Sequence, residues 1–285
     1  MSDEEKVLVL RTCRADMSST NGFKWPESGY VEAPDWEPTD ECGNGLHGWL
    51  WGEGDGSLGN WSFDAKWLVV EVDADKVVDL GGKVKFPFGK VVFCGSRLDA
   101  TNYLVKKAPG KAVIGAAVVA GDYGTAMVGH RGTATVEDHG TATVEDLGKA
   151  TAGEWGKATA GYGGKATAGY CGTATAGHGG TATAGAGGTA TAGKNGTATA
   201  GRGGTATAGD NGKATAGSYG TATAGHQGTA TAGNYGTATA GYGGILCLKY
   251  FDGGRWRIKT AYVGEGGILP NVMYKLDDGG NFVKA

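Results

Sequence analysis

The sequence predicts a mainly β chain in which a β-solenoid of sixteen-residue coils lies between a small α+β domain and a C-terminal β cap. Three observations predict this fold. Glycine returns at every eighth residue from Gly124 to Gly244, and most of these octads read Gly-Thr-Ala-Thr-Ala-Gly plus two free residues. Large aliphatic side chains are scarce between Gly148 and Gly244. Each octad is therefore one structural unit, and units without large side chains must bury small residues by stacking.

The direction of the side chains follows from four lysines. The residue after the octad glycine is threonine at most octads, but it is lysine at four of them: Lys149, Lys157, Lys165 and Lys213. A lysine does not lie unpaired in a narrow apolar core, so this position faces water. Alternation along a strand then places the threonines outside and the alanines inside. A helix is disfavoured because each glycine would cost about 1 kcal/mol there.

One octad is too short to close a coil, so two octads form each coil as strand, turn, strand and turn. The fifteen octads predict about seven and a half coils and a rod of about 36 Å at the usual strand spacing. The stacked coils form two parallel sheets back to back across an alanine core. The glycines fit the turns, where a positive φ or a close backbone approach is needed. The two free residues lie at exposed turn tips, and their variety indicates few constraints.

Pairing octads by twos also distinguishes the two faces of the rod. One face carries an uninterrupted set of threonine pairs, whereas Lys149, Lys165 and Lys213 interrupt the other. We name the first set the threonine face and predict that a function of the rod resides on it. The threonine face consists of Thr173, Thr175, Thr189, Thr191, Thr205, Thr207, Thr221, Thr223, Thr237 and Thr239.

The chain is expected to divide into an N-terminal domain (1–115), the repeat (116–244) and a C-terminal cap (245–285). In the first, the pattern predicts strands over Val7–Thr12, Trp67–Asp73, Lys83–Phe88 and Val91–Gly95. Ser96 is expected to cap a helix that ends near Lys107. The segment from Cys13 to Asn60 is expected to be irregular.

Larger side chains are expected to close both ends of the repeat, as they do in other repeat proteins. Strands are predicted over Ile245–Phe251, Arg255–Val263 and Met273–Val283, with turns at Asp252-Gly253-Gly254 and Asp278-Gly279-Gly280. The predicted cap residues are Leu246, Tyr250, Phe251, Trp256 and Ile258 at one end, and Val113, Ile114, Val118 and Val119 at the other.

Six tryptophans lie in the N-terminal domain, at positions 25, 36, 49, 51, 61 and 67. An aromatic surface for stacking a sugar, a base or a partner is one interpretation. We favour the other, that indoles fill the core of a small, loop-rich domain.

The composition bears on partners and location. The net charge is −3 with no basic stripe, which argues against a nucleic-acid partner. No apolar run is long enough for a membrane helix, and the charged N-terminus lacks the layout of a signal peptide. We therefore expect a cytoplasmic protein with no membrane partner, as a monomer or a homodimer through a solenoid face. The five scattered cysteines are expected to be free thiols.

No residue pattern points to catalysis, a cofactor or a metal. Cys42 and His47 fall short of a zinc pattern because no second pair follows, and His47 is expected in a glycine-rich turn. The glycine-rich run from Gly43 to Gly59 lacks the ending of a phosphate-binding loop. Catalytic, cofactor-binding and metal-binding residues are therefore predicted to be absent.

Residues 160–170, Ala-Gly-Tyr-Gly-Gly-Lys-Ala-Thr-Ala-Gly-Tyr, are similar to the repeats of bacterial ice-nucleation proteins. The Thr-x-Thr spacing also resembles that of insect hyperactive antifreeze proteins. Both resemblances imply that ranks of threonine on a flat solenoid face order water. The chain departs from these families because its first residues lack the layout expected of a secretion signal, because the octads show no clear sixteen-residue alternation, and because lysines interrupt one face.

Two other resemblances concern the N-terminal domain. The layout of the chain looks like that of uncharacterised phage and prophage proteins: Gly22-Phe23, residues 42–47 and residues 69–72 precede the octads, and residues 267–271 and 274–279 follow them. If the chain is phage-encoded, we expect it in the cytoplasm of the host cell. Arg11-Thr12 followed by Gly45-Leu46-His47-Gly48 is loosely similar to ADP-ribosyltransferases, which implies a nicotinamide cofactor. No catalytic glutamate can be assigned for that activity.

Three functional hypotheses follow. The first is a non-enzymatic binding or scaffold protein of phage-like origin, with an unknown macromolecular partner on the threonine face. The second is a protein that binds ordered water or ice through that face. The third is an ADP-ribosyltransferase-like enzyme in the N-terminal domain.

Overall fold

The computed structural model describes residues 5–285 and is mainly β, with twenty-seven strands and one α-helix among them. It confirms the predicted fold class. The described chain divides into two compact units. The first runs to Ala117 and includes Met127–Thr133, and the second comprises Val118–Ala126 and Ala134–Ala285.

The first unit is built on a seven-stranded sheet in the order β2-β7-β4-β1-β3-β6-β5. Its pairs run antiparallel, with β1 between β4 and β3. The strands are β1 (Lys6–Cys13), β2 (Gly29–Glu32), β3 (Leu46–Leu50), β4 (Lys66–Asp73), β5 (Val78–Asp79), β6 (Val84–Phe86) and β7 (Phe88–Gly95).

Strands β2 and β3 lie in the segment that was expected to be irregular, and His47 lies in β3 instead of a turn. Both expectations were wrong. The reason in β3 is Gly48, which reads as a turn residue in the sequence. A Cβ at Gly48 would lie 2.5 Å from the carbonyl oxygen of Leu10, so the close approach of β1 requires a glycine inside the strand.

The helix α1 (Arg97–Lys107) begins and ends as predicted. The hydroxyl of Ser96 accepts a hydrogen bond from the Asp99 amide at 3.3 Å, which satisfies one of the first-turn N–H groups. The helix buries Ala100 and Leu104, and it packs on β4 and β7.

The tryptophans of the first unit are core residues. Trp25, Trp49 and Trp67 are buried, and the other three are half-buried. This agrees with the interpretation that indoles fill the core.

The repeat strands and the four strands that follow them form two ten-stranded sheets, which lie in the second unit except for Ala117 and residues 127–133. One sheet has the order β25-β24-β22-β20-β18-β16-β14-β12-β10-β8, and the other has the order β27-β26-β23-β21-β19-β17-β15-β13-β11-β9. The repeat strands are β8 (Ala117–Ala120), β9 (Thr125–Val128), β10 (Thr133–Val136), β11 (Thr141–Val144), β12 (Lys149–Ala152), β13 (Lys157–Ala160), β14 (Lys165–Ala168), β15 (Thr173–Ala176), β16 (Thr181–Ala184), β17 (Thr189–Ala192), β18 (Thr197–Ala200), β19 (Thr205–Ala208), β20 (Lys213–Ala216), β21 (Thr221–Ala224), β22 (Thr229–Ala232) and β23 (Thr237–Ala240).

Consecutive octads alternate between the sheets, so each sixteen-residue coil contributes one strand to each. Strands within a sheet run parallel and in register, as where Thr189 pairs with Thr205 and Ala190 with Ala206. The first alanine of each octad is almost completely buried, whereas the threonines are half-buried or exposed. The alanine core and the outward threonines are therefore confirmed, over about eight coils.

Four strands follow the repeats: β24 (Ile245–Phe251), β25 (Trp256–Tyr262), β26 (Tyr274–Leu276) and β27 (Phe282–Lys284). Leu246 continues the alanine core and is buried, as predicted. The prediction was wrong for Phe251, Trp256 and Ile258, each at least half-exposed. In the antiparallel β24–β25 pair, Phe251 lies opposite Trp256, on the face opposite to Leu246.

At the N-terminal side of the repeat, Val113 and Ile114 are buried within the first unit, where the Gly129 amide donates to the Val113 carbonyl at 3.0 Å. Val119, in contrast, is 76% exposed. Its predicted burial was wrong because the outward and inward positions alternate in β8 as they do in the later octads.

Candidate functional site

The threonine face lies on five adjacent strands of one sheet, namely β15, β17, β19, β21 and β23. Their parallel pairing is in register, so the first threonines of successive coils form one row and the second threonines form another. The side chains in a row are about 4.8 Å apart, and the two rows are about 7 Å apart because two residues of strand separate them. The structure thus brings all ten predicted residues into one two-row grid.

The hydroxyls of this face are largely available to water. Thr237 donates to Thr221 at 3.2 Å, and within residues 5–285 this is the one side-chain hydrogen bond that joins two hydroxyls of the face. All ten threonines are exposed or half-buried. Threonine is β-branched and has few χ1 rotamers, so stacked copies present methyl and hydroxyl groups with little conformational freedom.

Charge separates the two sheets of the rod. Lys149, Lys165 and Lys213 all lie on the opposite sheet, which we call the lysine face, and Lys149 pairs directly with Lys165. Lys157 lies on the sheet of the threonine face and pairs with Thr173, so it marks the N-terminal limit of the uninterrupted grid. From Thr173 to Thr239 the outward strand positions of this sheet carry no charge.

The octad glycines fix the corners of each coil. A Cβ at Gly188 would lie 2.6 Å from the Gly172 carbonyl oxygen of the preceding coil and 2.9 Å from the Ala184 side chain. Positive φ does not explain these glycines, because the octad glycines lack it. Of the two reasons predicted for the turns, close backbone approach is therefore the one that applies to the octad glycine.

The positive φ falls on the second free residue of each turn instead. This residue is left-handed in every octad turn, whether it is Gly203, Asn195, Tyr219 or Cys171. Its amide also donates to the next coil, as from Asn195 to the Asp210 carbonyl at 2.8 Å. The expectation of few constraints at the turn tips was therefore wrong for this residue, since left-handed backbone costs most residues about 1–2 kcal/mol.

The first free residues of the turns also contact their neighbours in adjacent coils. The carboxylate of Asp210 accepts from the His226 amide at 2.9 Å. Rings stack between coils, as between Tyr162 and His178 with centroids 5.3 Å apart. These contacts hold adjacent coils together at the corners and thereby support the register of the threonine face.

The residues behind the nicotinamide resemblance also come together in the structure. Arg11 in β1 and His47 in β3 lie on adjacent strands of the first unit and line the same cavity of about 930 Å³. The guanidinium of Arg11 donates to the His47 carbonyl at 3.3 Å. We name this cavity the Arg11 cleft. In the sequence, the only sign of the Arg11 cleft is the positive charge of Arg11 directly after the apolar run Val7–Leu10.

Within residues 5–285 no group of three or more His, Cys, Asp or Glu side chains is placed to hold a metal ion. The five cysteines are free thiols, as predicted. Across the same residues, no helix combines the length and the apolar character needed to cross a membrane.

The pKa of His47 is lowered from 6.5 to about 4, first by burial and then by the positive charges of Lys83, Arg11 and Lys85. The unfolded chain therefore binds more protons than the folded chain between these two values, so stability is lost as the pH falls from 6.5 toward 4. The ring is half-buried, so solvent screening limits the effect on the free energy of unfolding to roughly 1–2 kcal/mol.

We expect His47→Gln, which cannot take up a proton, to flatten this loss. Urea unfolding of the full chain at intervals between pH 4 and 7, followed by tryptophan fluorescence, measures it. His226→Gln, at an exposed imidazole on a repeat turn, serves as the control and should keep the wild-type slope. An unchanged slope in His47→Gln would contradict the assignment.

Comparison with known proteins adds two results. Residues 7–106 match a domain of unknown function, DUF7666. The chain is also similar to bacterial ice nucleation proteins. It is 40% identical to ice nucleation protein InaU of Pantoea ananas over 104 residues (36% of this chain and 10% of the relative). It is 45% identical to that of Pseudomonas fluorescens over 102 residues (35% and 8%), and 41% identical to that of Xanthomonas campestris pv. translucens over 107 residues (37% and 7%).

The chain therefore spans about a tenth or less of the length of these relatives. No solved structure matches it significantly. These relatives come from bacteria and give no support to the predicted phage origin, which stays a prediction. All three relatives are named as ice nucleation proteins.

Proposed function

We propose that the threonine face binds ice. The observation that carries this proposal is the in-register grid of ten threonines without a charged residue among them, on a repeat scaffold whose chain is similar to ice nucleation proteins. A partner-binding scaffold also needs an exposed face, but it does not need the same two residues in every coil.

The physical basis is the spacing and rigidity of the grid. Hydroxyls hydrogen-bond to water and methyls lie between them, at intervals of about 4.8 Å and about 7 Å set by the backbone. Both sheets are hydrogen-bonded from coil to coil, so these intervals change little with side-chain motion. Water on such a surface has fewer arrangements available than on an irregular one, and freezing it in place therefore costs less entropy.

The length of the face favours adsorption to existing ice over nucleation of new ice. Five strands span about 24 Å at the usual strand spacing, and a nucleating surface must order a water cluster large enough to grow spontaneously. The segment that matches the relatives named as ice nucleation proteins covers only 7–10% of their length. We therefore expect the chain to slow the growth of a seeded crystal while initiating freezing only at strong supercooling.

Two assays on the purified full chain test this proposal. Nanolitre osmometry should show thermal hysteresis and faceted crystals, and droplet-freezing curves should lie close to those of buffer. Smooth, disc-shaped crystals with no hysteresis at millimolar protein would contradict the proposal. A bovine serum albumin control at the same mass concentration accounts for non-specific effects.

The other sequence-based hypotheses stay predictions. These are a macromolecular partner on the threonine face, a cytoplasmic location, and an ADP-ribosyltransferase-like activity. For the last, the placement of Arg11 and His47 at one cleft is consistent with a bound ligand, but no catalytic glutamate is identified. A calorimetric titration of the full chain with NAD is the direct check on that activity.

A further inference from the structure

The first unit contains a buried cation that lacks an anionic partner. Burial lowers the pKa of the Arg11 guanidinium, and its Nε atom has no hydrogen-bond partner. The guanidinium lies 5.5 Å over the Trp25 ring and beside the thiol of Cys13. Burial also raises the pKa of Cys13 to about 11, so that thiol stays neutral. None of the ion pairs among residues 5–285 involves Arg11.

Lys85, in the same sheet, is a buried cation whose N–H groups find hydrogen-bond acceptors within the protein. Its side chain is completely buried, and its ammonium donates to the Thr39 hydroxyl at 3.0 Å and to the Glu41 carbonyl at 2.9 Å. It also faces the Trp36 ring. Arg11 has one long hydrogen bond to the His47 carbonyl and an interaction with the neutral Cys13 thiol, and its Nε–H group has no partner. An unsatisfied buried donor costs free energy that a ligand can recover.

The surroundings of Arg11 can admit a ligand. The Arg11 cleft of about 930 Å³ adjoins a second cavity of about 350 Å³, and both are lined by Arg11, Ser19, Asn21 and His47. Cavities of this size hold small organic molecules. Gly48 and Asn60 also line the larger cavity.

The charge around the cleft favours an anion. Arg14 and Lys83 line it together with Arg11, and neither forms an ion pair within the described chain. Two carboxylates also line it, Asp16 and Asp64. Asp16 is bound by Lys24 at 2.6 Å. Arg11, Arg14 and Lys83 therefore contribute three positive charges to the lining of the cleft, and Asp64 is the one lining carboxylate without an ion-pair partner in the described chain. About two positive charges remain for a ligand to neutralise.

His47 supplies a second recognition element. One ring nitrogen bonds to the backbone of Gly45, and the nitrogen without a partner is Nε2, so the bonded nitrogen is Nδ1. The low pKa of His47 keeps the ring neutral near pH 7. In a neutral imidazole whose Nδ1 carries the proton, Nε2 is an acceptor. It can therefore accept a hydrogen bond from a ligand hydroxyl.

We propose that the Arg11 cleft binds a small phosphorylated molecule that carries hydroxyl groups, with the phosphate against Arg11 and a hydroxyl against Nε2 of His47. A phosphate monoester brings close to two negative charges, which match the uncompensated cations, and the guanidinium suits its geometry. The sugar-phosphate class has both groups. This site is separate from the threonine face, and its presence does not depend on ice binding.

Isothermal titration calorimetry of the full chain with ribose 5-phosphate tests the proposal, with inorganic phosphate and ribose as partial probes. Ribose 5-phosphate should bind with a Kd of roughly 10–500 μM, at least about tenfold tighter than either partial probe. Arg11→Gln should weaken this binding by about 10- to 100-fold, as expected for a charge-assisted hydrogen bond. Lys106→Gln, which removes an exposed cation from α1, should leave it unchanged.

His47→Gln distinguishes the two parts of the site and covers the case in which Arg11→Gln does not fold, as judged by circular dichroism. It should weaken ribose 5-phosphate binding and leave inorganic phosphate binding unchanged. Absence of ribose 5-phosphate binding to the wild-type chain would overturn the proposal. Equal affinity of wild type and His47→Gln for ribose 5-phosphate would overturn the role of His47, and equal affinity of a folded Arg11→Gln would overturn the site.

Discussion

The double substitution Thr191→Lys with Thr207→Lys is expected to reduce thermal hysteresis to the level of buffer. These two residues are register neighbours in the middle of the threonine face. An ammonium holds its own hydration shell tightly, and the long side chain extends over adjacent threonines. Two such lysines leave only short uninterrupted stretches of threonine on either side, and these stretches order too few water molecules to bind ice. Ice-crystal shape should change with the hysteresis, from faceted to disc-like.

The opposite sheet provides the matched control. Thr183 and Thr199 are register neighbours at the same octad position on the lysine face. Lys149 and Lys165 already stack there, so the solenoid tolerates adjacent lysines. Thr183→Lys with Thr199→Lys should therefore keep wild-type hysteresis at the same net charge. Equal loss in both double variants would indicate a charge effect and would contradict the assignment of the face.

Alanine at Gly188 is expected to destabilise the repeat by about 2–4 kcal/mol. The added Cβ would lie 2.6 Å from the Gly172 carbonyl oxygen, and the backbone of two coils must separate to admit it. The change also breaks the in-register stacking beside Thr189. Guanidinium unfolding followed by circular dichroism of the full chain measures the loss.

Gly203 is the control for a glycine whose role is conformational. Its φ is +68° and a Cβ there would meet nothing within 4 Å. Asparagine takes the equivalent turn position at Asn195 and Asn211 with φ of 57° and 55°. Gly203→Asn should therefore cost less than about 1 kcal/mol, because asparagine tolerates left-handed backbone. A loss as large as that of Gly188→Ala would contradict the corner role of the octad glycine.

The repeat could be predicted from the sequence because its local and long-range signals agree. Lys149 and the other lysines show which side faces water, the glycine period gives the coil length, and alternation gives the alanine core. The same alternation, with octads paired by twos, places all ten threonines on one face. The left-handed backbone of residues such as Tyr219 could not be predicted, because the residue types at that octad position vary too much to reveal a shared φ.

The N-terminal domain could be predicted only in part. Val7–Thr12 and the helix after Ser96 have clear local signals. Strand β3 does not, because Gly48 is required by the neighbouring strand and looks like a turn in the sequence. The Arg11 cleft depends on contacts between residues far apart in the chain, such as Arg11 with His47 and Trp25. Neither local propensity nor spacing reports such contacts.

The C-terminal strands illustrate a different limit. Apolar composition predicted that Phe251, Trp256 and Ile258 would cover the end of the core. Successive side chains of a strand point to opposite faces of the sheet, so burial depends on whether a residue lies at an odd or an even position along the strand. Leu246 and Phe251 are five residues apart and therefore point to opposite faces. Leu246 lies in the core, and Phe251 lies outside it. The sequence shows the strands and the turn but not which face packs.

The partition of the protein between ice and liquid shows whether the threonine face binds ice. A slowly growing ice hemisphere is formed from a dilute solution of the fluorescently labelled full chain, and the protein in the ice is compared with that in the remaining liquid. Binding through the threonine face predicts enrichment of the wild-type chain in the ice and exclusion of the Thr191→Lys, Thr207→Lys variant. Exclusion of the wild-type chain, at the level of labelled albumin, would contradict the claim.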